Sequence, residues 1–461
     1  MQSNYREKKI VVVGAGASGR ALTSFFLKAG AKVTLSDARS AAQLPALGEL
    51  ESAGARLDLG GHSQSLFECA DLIVISPGVP LDMPVLVAAK SAGVPILGEI
   101  EVAWRELEAP MVAITGTNGK STVTALLGEV FQLWHKKAFV GGNFGTPLIE
   151  AVQQQWDWLA VELSSFQLET IRHFRPRYAM LLNITADHLD RYPDMAAYQA
   201  AKLRIFENMQ AEDVVILNAD DPLVVEAAQQ IATQGIAARQ VWFSSKQTLE
   251  SGISLVEDRI LWRWQGQEMI FPAQELKLPG LHNRENVMAA LVAPLLEGCP
   301  AEVAWNAVKN FTGLPHRTEL IGARNGVNWY DDSKGTNIGS VVKSLDGFDA
   351  PVTLIAGGKD KLGDLSPLND LVQQKVAHLI LIGEAAQRMA QAFEGMTDIQ
   401  LASDMTVAVE MAAELTPAGG TVLLSPGCSS FDMFSSYQER GRVFAEAFHA
   451  LNQCDEQAYG N

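Results

Sequence analysis

The segment 112–125, VAITGTNGKSTVTA, constrains the fold of this chain more than any other part of its sequence. The apolar residues 111–114 predict a β-strand, and the glycine-rich turn 115–119 ends it before Lys120, where a helix is expected to begin. Such a turn lets backbone N–H groups surround phosphate oxygens, while the lysine adds positive charge and the next serine can reach a magnesium ion. The general pattern has a glycine six residues before the lysine, where this chain has Ile114. The segment predicts a strand–loop–helix unit that binds ATP.

Length, charge and cysteine content narrow the class of protein. The 461 residues suffice for two to four domains, each with its own core. The net charge of −17 argues against non-specific binding to nucleic acid or anionic membranes, so anionic ligands must be bound by local cations. The four cysteines are scattered without metal-ligand spacing, which predicts reduced thiols. Residues 1–9 lack the apolar core of a signal peptide, and no apolar run could span a bilayer, so we expect a cytoplasmic protein without membrane insertion.

A second glycine-rich turn lies near the start of the chain. Residues 9–13 predict a strand, the sequence 14–19 has the form Gly-x-Gly-x-x-Gly, and a helix and a second strand ending at Asp37 follow. This pattern places a diphosphate on a helix N-terminus and an acidic side chain near a sugar hydroxyl. A nicotinamide or flavin dinucleotide satisfies that geometry, and so does a nucleoside-diphosphate sugar. A further strand at 71–75 ends in the turn 76–78, at the same edge of the predicted sheet.

Polar side chains also follow later strands. Residues 158–161 precede Glu162, and residues 178–182 precede a segment that ends at His188. Because ligands gather at the carboxyl edge of an open parallel sheet, we expect Lys120, Glu162 and His188 to converge. A helix-capping or exposed carboxylate is the alternative for Glu162, and a core or surface histidine is the alternative for His188.

Three successive domains account for the remaining patterns. Residues 242–280 alternate apolar and polar side chains, which predicts a small antiparallel β insertion, and residues 311–315 resemble a joint because they contain glycine and proline. Beyond the joint, apolar runs again alternate with helical patterns. We predict an α/β fold with three consecutive α/β domains: an N-terminal Rossmann-like domain at 1–98, a central P-loop ATPase-like domain at 99–313 and a C-terminal Rossmann-like domain at 314–461.

An ATP site between a diphosphate site and a lysine-bearing third domain indicates ATP-driven ligation or group transfer. Together with the phosphate loop, the segments 162–168 (ELSSFQL), 183–190 (NITADHLD) and 313–317 (GLPHR) resemble the motifs of the Mur ligase family over nearly the whole chain. The resemblance implies an ATP-dependent ligase of peptidoglycan synthesis, in which the first domain binds uridine diphosphate and not NAD. It also implies an acyl phosphate and a tetrahedral intermediate.

The resemblance implies roles for individual residues. ATP would be bound by Gly116, Thr117, Asn118, Gly119, Lys120, Ser121, Thr122, Asn283, Asn286, Arg317 and Asp332. The UDP substrate would be bound by Ser18, Asp37, Arg39, Gly78 and Asn143. The catalytic residues would be Lys120, Glu162, His188 and Lys202, and Mg²⁺ would be held by Ser121, Glu162, His188 and Lys202. Carbamylation would turn Lys202 into an anionic oxygen ligand, whereas an ordinary surface lysine is the alternative; for the two asparagines the alternative is helix capping.

The choice of amino acid depends on the third domain. Residues 332–337 (DSKGTN) resemble the D-glutamate-adding members, which usually have alanine where Gly335 stands. D-Glutamate would then be bound by His188, Lys334, Thr336, Lys361, Ser430 and Tyr437. Two lysines suit a dicarboxylate, and the Asp-Asn-Pro-Arg motif of the diaminopimelate-adding members is absent from the sequence. The expected substrates are UDP-N-acetylmuramoyl-L-alanine and D-glutamate, and a monomer is expected.

Other functions remain open at this point. A Mur-type ligase with a different amino-acid substrate is the nearest alternative. An NAD(P)-dependent oxidoreductase fused to a nucleotide-binding module would explain the first glycine-rich turn equally well. A third hypothesis is a non-catalytic scaffold that responds to nucleotide.

Overall fold

The computed structural model describes residues 5–44, 47–187, 191–278 and 280–458. The chain forms two compact units. The first comprises Met1–Asn183, Gln199–Ala273 and Asn286–Val308, and the second comprises Ile184–Tyr198, Gln274–Glu285 and Lys309–Asn461. Within the described parts of the chain, no helix combines the length and the apolar character needed to cross a membrane.

The N-terminal sheet lies in the first unit and is fully parallel, with strand order β3-β2-β1-β4-β5. Its strands are β1 Lys9–Val13, β2 Lys32–Asp37, β3 Arg56–Leu59, β4 Leu72–Ile75 and β5 Ile96–Gly98. The helices are α1 Ala17–Lys28, α2 Gly48–Ser52, α3 Gln64–Glu68, α4 Pro84–Ser91 and α5 Glu99–Glu106. Because the strand order reverses at β1, the crevice beyond its carboxyl end is the expected ligand position.

The central sheet has the order β14-β13-β12-β11-β10-β9-β6-β8-β7 and is parallel from β7 to β12. Its strands are β6 Met111–Thr115, β7 Ala138–Gly142, β8 Trp158–Glu162, β9 Tyr178–Leu181, β10 Val214–Asn218, β11 Arg239–Ser244, β12 Gly252–Val256, β13 Arg259–Trp264 and β14 Gln267–Pro272. The helices in this part are α6 Lys120–Leu133, α7 Ser165–Leu168, α8 Met195–Leu203, α9 Pro222–Thr233, α10 Leu281–Leu296 and α11 Ala301–Asn310. The predicted antiparallel insertion consists of β12–β14, which extend the same sheet.

The C-terminal sheet lies in the second unit and has the order β15-β16-β20-β17-β18-β19. Its strands are β15 Glu319–Arg324, β16 Val327–Asp331, β17 Val352–Gly357, β18 Val376–Ile382, β19 Asp398–Leu401 and β20 Thr421–Leu424. The helices are α12 Ile338–Asp346, α13 Asn369–Lys375, α14 Ala386–Ala392, α15 Met405–Leu415 and α16 Tyr437–Ala458. Successive residues of β17 enter different hydrophobic clusters, Leu354 in one and Ile355 in the other. Both faces of this sheet are therefore covered, as in other parallel α/β sheets.

These sheets confirm the predicted α/β class with three α/β parts. The sequence did not predict that β15 pairs antiparallel with β16 at the edge of the last sheet. The domain limits at 98 and 313 stay a prediction. Residues 184–198 and 274–285, which the sequence places in the central domain, group with the C-terminal unit.

Gly357 ends β17 at the carboxyl edge of the C-terminal sheet, in a backbone conformation that favours glycine. Its φ is +107°, and a Cβ added there would lie 2.1 Å from the backbone oxygen of Ile382. We expect Gly357→Ala to lower the free energy of unfolding of the C-terminal unit by at least about 2 kcal/mol, because the strained φ and the clash add together. The matched control is Gly363→Ala, whose Cβ would have no neighbour within 4 Å. Urea unfolding followed by circular dichroism measures both, and equal midpoints would contradict the argument.

Candidate functional site

The phosphate loop is held by Asn183, which follows β9. The backbone N–H of Thr117 donates to the Asn183 carbonyl at 3.0 Å, and that of Asn118 donates to Asn183 Oδ1 at 2.8 Å. Asn183 Nδ2 returns a hydrogen bond to the Asn118 carbonyl at 3.0 Å. Sequence reasoning did not give Asn183 a role, although its place at a strand end was the available signal.

Two lysines meet at one backbone carbonyl of this loop. Lys120 Nζ donates to the Gly116 oxygen at 2.9 Å and to the Thr117 oxygen at 2.8 Å. Lys202, in α8, is 1% exposed, and its Nζ donates to the same Gly116 oxygen at 2.8 Å. The structure therefore brings the predicted Lys202 to the phosphate loop, so it is not a surface lysine.

Buried oxygen ligands lie at the neighbouring strand end. Glu162 ends β8, is 2% exposed and accepts a hydrogen bond of 2.8 Å from Asn143 Nδ2. Ser121, in the first turn of α6, is also buried, as is the next residue, Thr122. Carboxylate and hydroxyl oxygens fit a hard cation such as Mg²⁺, whereas a lysine ammonium fits only after carbamylation. His188 lies outside the described residues.

The loop accepts only glycine at its helix end. Gly119 has φ of +89°, and a Cβ there would lie 2.3 Å from Asn286 Oδ1. The side chain of Asn286 in α10 thus packs directly against the start of α6. Asn283 lies one turn earlier in α10, in the part of that helix that belongs to the second unit.

Three of the predicted UDP-binding residues, Ser18, Asp37 and Arg39, lie at the first glycine-rich turn or bond to a residue that does. Asp37 Oδ2 accepts the N–H of Ala15 at 2.7 Å, and both Asp37 oxygens accept from the Arg39 side chain, at 2.8 and 3.0 Å. The Arg39 guanidinium holds the pKa of Asp37 well below its usual range, so this carboxylate stays ionised. Ser18 is in the first turn of α1, and Gly78 has open space where a Cβ would stand.

Asp332 is a buried carboxyl group of the second unit. The hydroxyls of Ser344 and Ser425 each donate to its Oδ2 at 2.7 Å. Burial raises the pKa of Asp332 to about 6, and the nearby charge of Arg317 acts in the opposite direction. A Cβ at Gly335 would lie 2.6 Å from the same Oδ2, which gives a local reason for glycine at this position.

Lys361 is held in place by Asp187. Its Nζ lies 3.2 Å from Asp187 Oδ1, and Asn337 Nδ2 donates to Asp187 Oδ2 at 3.1 Å. These residues line a cavity of about 340 Å³ in the second unit. Lys334 lies three residues before Asn337 in the sequence, and its Nζ is 5.0 Å from the ring centroid of Tyr437. Of the remaining predicted D-glutamate contacts, Ser430 is buried and Thr336 is half-buried.

Arg440 joins two loops of the second unit, and sequence reasoning missed it. This arginine is fully buried and donates to Ser333 Oγ at 3.0 Å, to the Ser333 carbonyl at 2.7 Å and to the Cys428 carbonyl at 3.1 Å. Burial lowers its pKa to about 10, which still leaves it charged at neutral pH. The sequence alone could not predict this role, because a single arginine in an amphipathic helix looks like an ordinary surface residue.

We expect Arg440→Lys to destabilise the second unit by about 2–4 kcal/mol, because an ammonium cannot reproduce the three bonds of the fork and leaves buried carbonyls unpaired. Thermal unfolding measures the loss of stability. The control is Arg442→Lys on the same helix, whose side chain is 58% exposed in its ion pairs. If the two variants unfold alike, the role given to Arg440 is wrong.

Comparisons with known proteins match successive segments of the chain to the domains of one family. Family models match as follows: the Mur ligase MurD-like N-terminal domain at residues 8–98, the Mur ligase middle domain at 114–294 and the Mur ligase, glutamate ligase domain at 316–428. The UDP-N-acetylmuramoylalanine–D-glutamate ligase of Syntrophotalea carbinolica is 59% identical over 97% of this chain and 99% of its own length. The protein of the same name in Geotalea uraniireducens is 50% identical over 96% and 98%, respectively.

Solved structures are similar in fold. The UDP-N-acetylmuramate-alanine ligase of Thermotoga maritima covers 96% of this chain and 100% of its own, with a TM-score of 0.61 and 19% identity. At that identity the likeness bears on the fold alone.

Proposed function

This chain belongs to the Mur ligase family, and on that basis we propose that it adds D-glutamate to UDP-N-acetylmuramoyl-L-alanine at the expense of ATP, in the synthesis of peptidoglycan precursors. The observation that carries this proposal is 59% identity, over 97% of the chain, to a ligase named for these two substrates. The oxidoreductase hypothesis is abandoned, because residues 8–98 match the N-terminal domain of the ligases.

The reaction forms one amide bond in two stages. The L-alanyl carboxylate takes the γ-phosphoryl group of ATP, which gives an acyl phosphate and ADP. The amine of D-glutamate then attacks the acyl carbon, and the tetrahedral intermediate expels phosphate. Activation is needed because a free carboxylate is a poor acceptor for an amine, and the protein contributes mainly position and charge compensation.

We assign the phosphates of ATP to residues 116–122. The hydrogen bonds between Asn183 and the loop, two accepted and one donated by Asn183, set the course of the loop before nucleotide binds. Lys120 would exchange its bonds to the loop carbonyls for bonds to phosphate oxygens. Asn283 and Asn286 are proposed for the adenine, whose edge both donates and accepts. Arg317 and Asp332, which belong to the predicted C-terminal domain, are also proposed as ATP contacts.

We propose that Ser121, Glu162, His188 and a carbamylated Lys202 hold Mg²⁺. A divalent ion there would compensate the negative charge of the phosphates. The carbamate is supported by the crowding at Gly116, where two ammonium groups share one carbonyl. Converting one cation to an anion would remove a like-charge interaction.

D-Glutamate is assigned to His188, Lys334, Thr336, Lys361, Ser430 and Tyr437. The ion pair with Asp187 restrains the Lys361 ammonium, which would bind a carboxylate of the substrate. The nucleotide sugar is assigned to Ser18, Asp37, Arg39, Gly78 and Asn143. Asn143 is bonded to Glu162, so it would connect the sugar to the proposed metal ligand.

Three further properties are part of the proposal. The functional domains are 1–98 for the UDP substrate, 99–313 for ATP and 314–461 for the amino acid. The protein would act as a monomer, because one chain supplies residues for all three substrates. It would work in the cytoplasm, where ATP is available.

An amino-acid panel tests the substrate assignment. With UDP-N-acetylmuramoyl-L-alanine and ATP, we expect phosphate release with D-glutamate and less than about 1% of that rate with L-glutamate, L-lysine or diaminopimelate, since a misplaced amine loses about 10²-fold or more. Colorimetric phosphate release and mass spectrometry of the product measure the outcome. Preference for another amino acid would move the chain to a different Mur-type specificity.

We expect Lys120→Ala to reduce the rate of D-glutamate ligation at least about 10³-fold, because it removes the positive charge proposed to stabilise the phosphates of ATP. Lys136→Ala, at a position just after α6, should retain activity. If Lys120→Ala still ligates at the normal rate, the role of this lysine is refuted.

The magnesium assignment predicts that Glu162→Gln raises the Mg²⁺ concentration needed for half-maximal rate at least about tenfold, because a carboxylate oxygen is replaced by a neutral amide. Rates measured across a MgCl₂ series at saturating substrates give this value. Glu129→Gln, on the exposed face of α6, is the control with the same charge change. An unchanged Mg²⁺ requirement in Glu162→Gln would exclude it as a ligand.

A further inference from the structure

Glu99 is a buried carboxyl group that the residue assignments above do not use. It is the first residue of α5, and only 2% of it is exposed. Its Oε1 accepts the backbone N–H of Ile149 at 2.8 Å, at the start of the short helical turn Leu148–Gln153. Its Oε2 is buried and has no hydrogen-bond partner among the described residues. An unsatisfied buried carboxyl oxygen is costly, so a partner outside the protein is indicated.

A small cavity lies beside this carboxyl group. Glu99 lines it together with the turn 76–79, which follows β4, and the segment 166–170 of the central part. The space for the centre of a water molecule is about 10 Å³, which is roughly the minimum for one ordered water. The Ser76 hydroxyl donates to the Gly14 carbonyl at 3.1 Å and the Thr170 hydroxyl to the Gln167 carbonyl at 3.1 Å, so both keep lone pairs that can accept from a water.

The backbone around Glu99 is fixed by close packing. A Cβ at Gly98 would lie 1.9 Å from Thr170 Oγ1, so β5 and the segment 166–170 touch without a side chain between them. The same carboxyl that faces the cavity thus caps the turn 148–153. That turn follows directly on the loop 143–147, which begins with Asn143. One side chain therefore faces the turn that contains Gly78 across the cavity and is hydrogen-bonded through Ile149 to the helical turn that follows the Asn143 loop.

We propose that Glu99 is a positioning residue for the nucleotide-sugar substrate: it anchors the Asn143 loop and, through Oε2 and one buried water, the turn 76–78. The inference rests on the proposed function only in taking both segments as nucleotide-sugar contacts. A protonated Glu99 completes the network, because Oε2–H donates to the water and the water donates to the two hydroxyls. Burial raises the pKa of Glu99 to about 7, which keeps much of it protonated near neutral pH.

Two other carboxyl groups lie near Glu99. Glu150 lies on the turn that Glu99 caps and raises its pKa, whereas the hydrogen bonds from the backbone of Ile149 and Leu148 lower it; Glu169 lines the cavity. Because the pKa in the folded protein lies above the ordinary 4.5, the stability contributed by the neutral carboxyl is full below pH 4.5 and is lost as the pH rises through about 7. Glu99→Gln, which cannot ionise, should therefore gain stability relative to the parent protein as the pH rises from 5 to 8.

The test compares Glu99→Ala, Glu99→Gln and the control Glu150→Gln, which removes a charge from the exposed side of the same turn. Calorimetric titration with UDP-N-acetylmuramoyl-L-alanine, without ATP, should show about tenfold weaker binding for Glu99→Ala and less than about threefold change for Glu99→Gln at pH 6. KM for ATP and D-glutamate should stay within about twofold in every variant. Thermal midpoints of Glu99→Gln should rise relative to the parent protein between pH 5 and pH 8, and those of Glu150→Gln should rise much less, because the Glu150 charge is the smallest of the causes that shift the pKa of Glu99.

Unchanged nucleotide-sugar binding in Glu99→Ala, or a midpoint difference for Glu99→Gln that does not vary with pH, would overturn the inference. Should Glu99→Ala fail to fold, the same calorimetric titration at pH 6 and pH 8 decides it: binding of the nucleotide sugar by the parent protein should weaken as Glu99 ionises, binding by Glu99→Gln should not, and an equal pH dependence in both would overturn the inference. A parent protein that binds the nucleotide sugar but does not ligate D-glutamate would refute the proposed function and leave the role of Glu99 to be judged by the titration.

Discussion

The pairing of β6 between β8 and β9 is the constraint on which the central site depends. All five residues of β6 are buried, and Ile114 pairs with Glu162 on one side and with Met180 on the other. The register of these strands therefore fixes the positions of the phosphate loop, Glu162 and Asn183 at one edge of the sheet. Lys202 reaches this edge from α8 and bonds to the same loop. A parallel sheet thus brings residues that are far apart in sequence to one place without any dedicated link between them.

In the second unit, a buried arginine holds together loops that are far apart in sequence. Arg440 donates to Ser333 and to the carbonyl of Cys428, so the loops that follow β16 and β20 are fixed to each other and to α16. Its charge is retained although burial lowers its pKa, because three oxygen acceptors replace water. The ion pair of Lys361 and Asp187 differs, because there the cation is bound by a charged carboxylate and not by neutral oxygens. The Asp187 carboxylate, 3.2 Å from the Lys361 Nζ, compensates the charge of the ammonium directly.

The sequence was informative where a local rule has one structural solution. Strand β1 at 9–13, the helix beginning at Lys120 and the strand ending at Leu424 lie where the patterns put them. Tertiary partners were not predictable in this way. Asn183, Arg440 and Glu99 act through residues distant in sequence, and each looks like an ordinary polar residue when only its neighbours are considered. The edge strand β15 was missed as well, because its half-exposed sequence has no clear alternation.

Ile114 shows how an apparent departure from a motif follows from packing. The general phosphate loop has glycine at this position, but here the residue is fully buried in β6 and its side chain belongs to the core. The turn begins two residues later, at Gly116, where φ is +150° and a Cβ would lie 3.1 Å from Leu182 Cβ. Asn183 then closes the shorter loop from outside with three hydrogen bonds. A glycine at 114 would thus remove core contacts without adding a phosphate-binding amide, so the shorter loop and the isoleucine are two aspects of one packing solution.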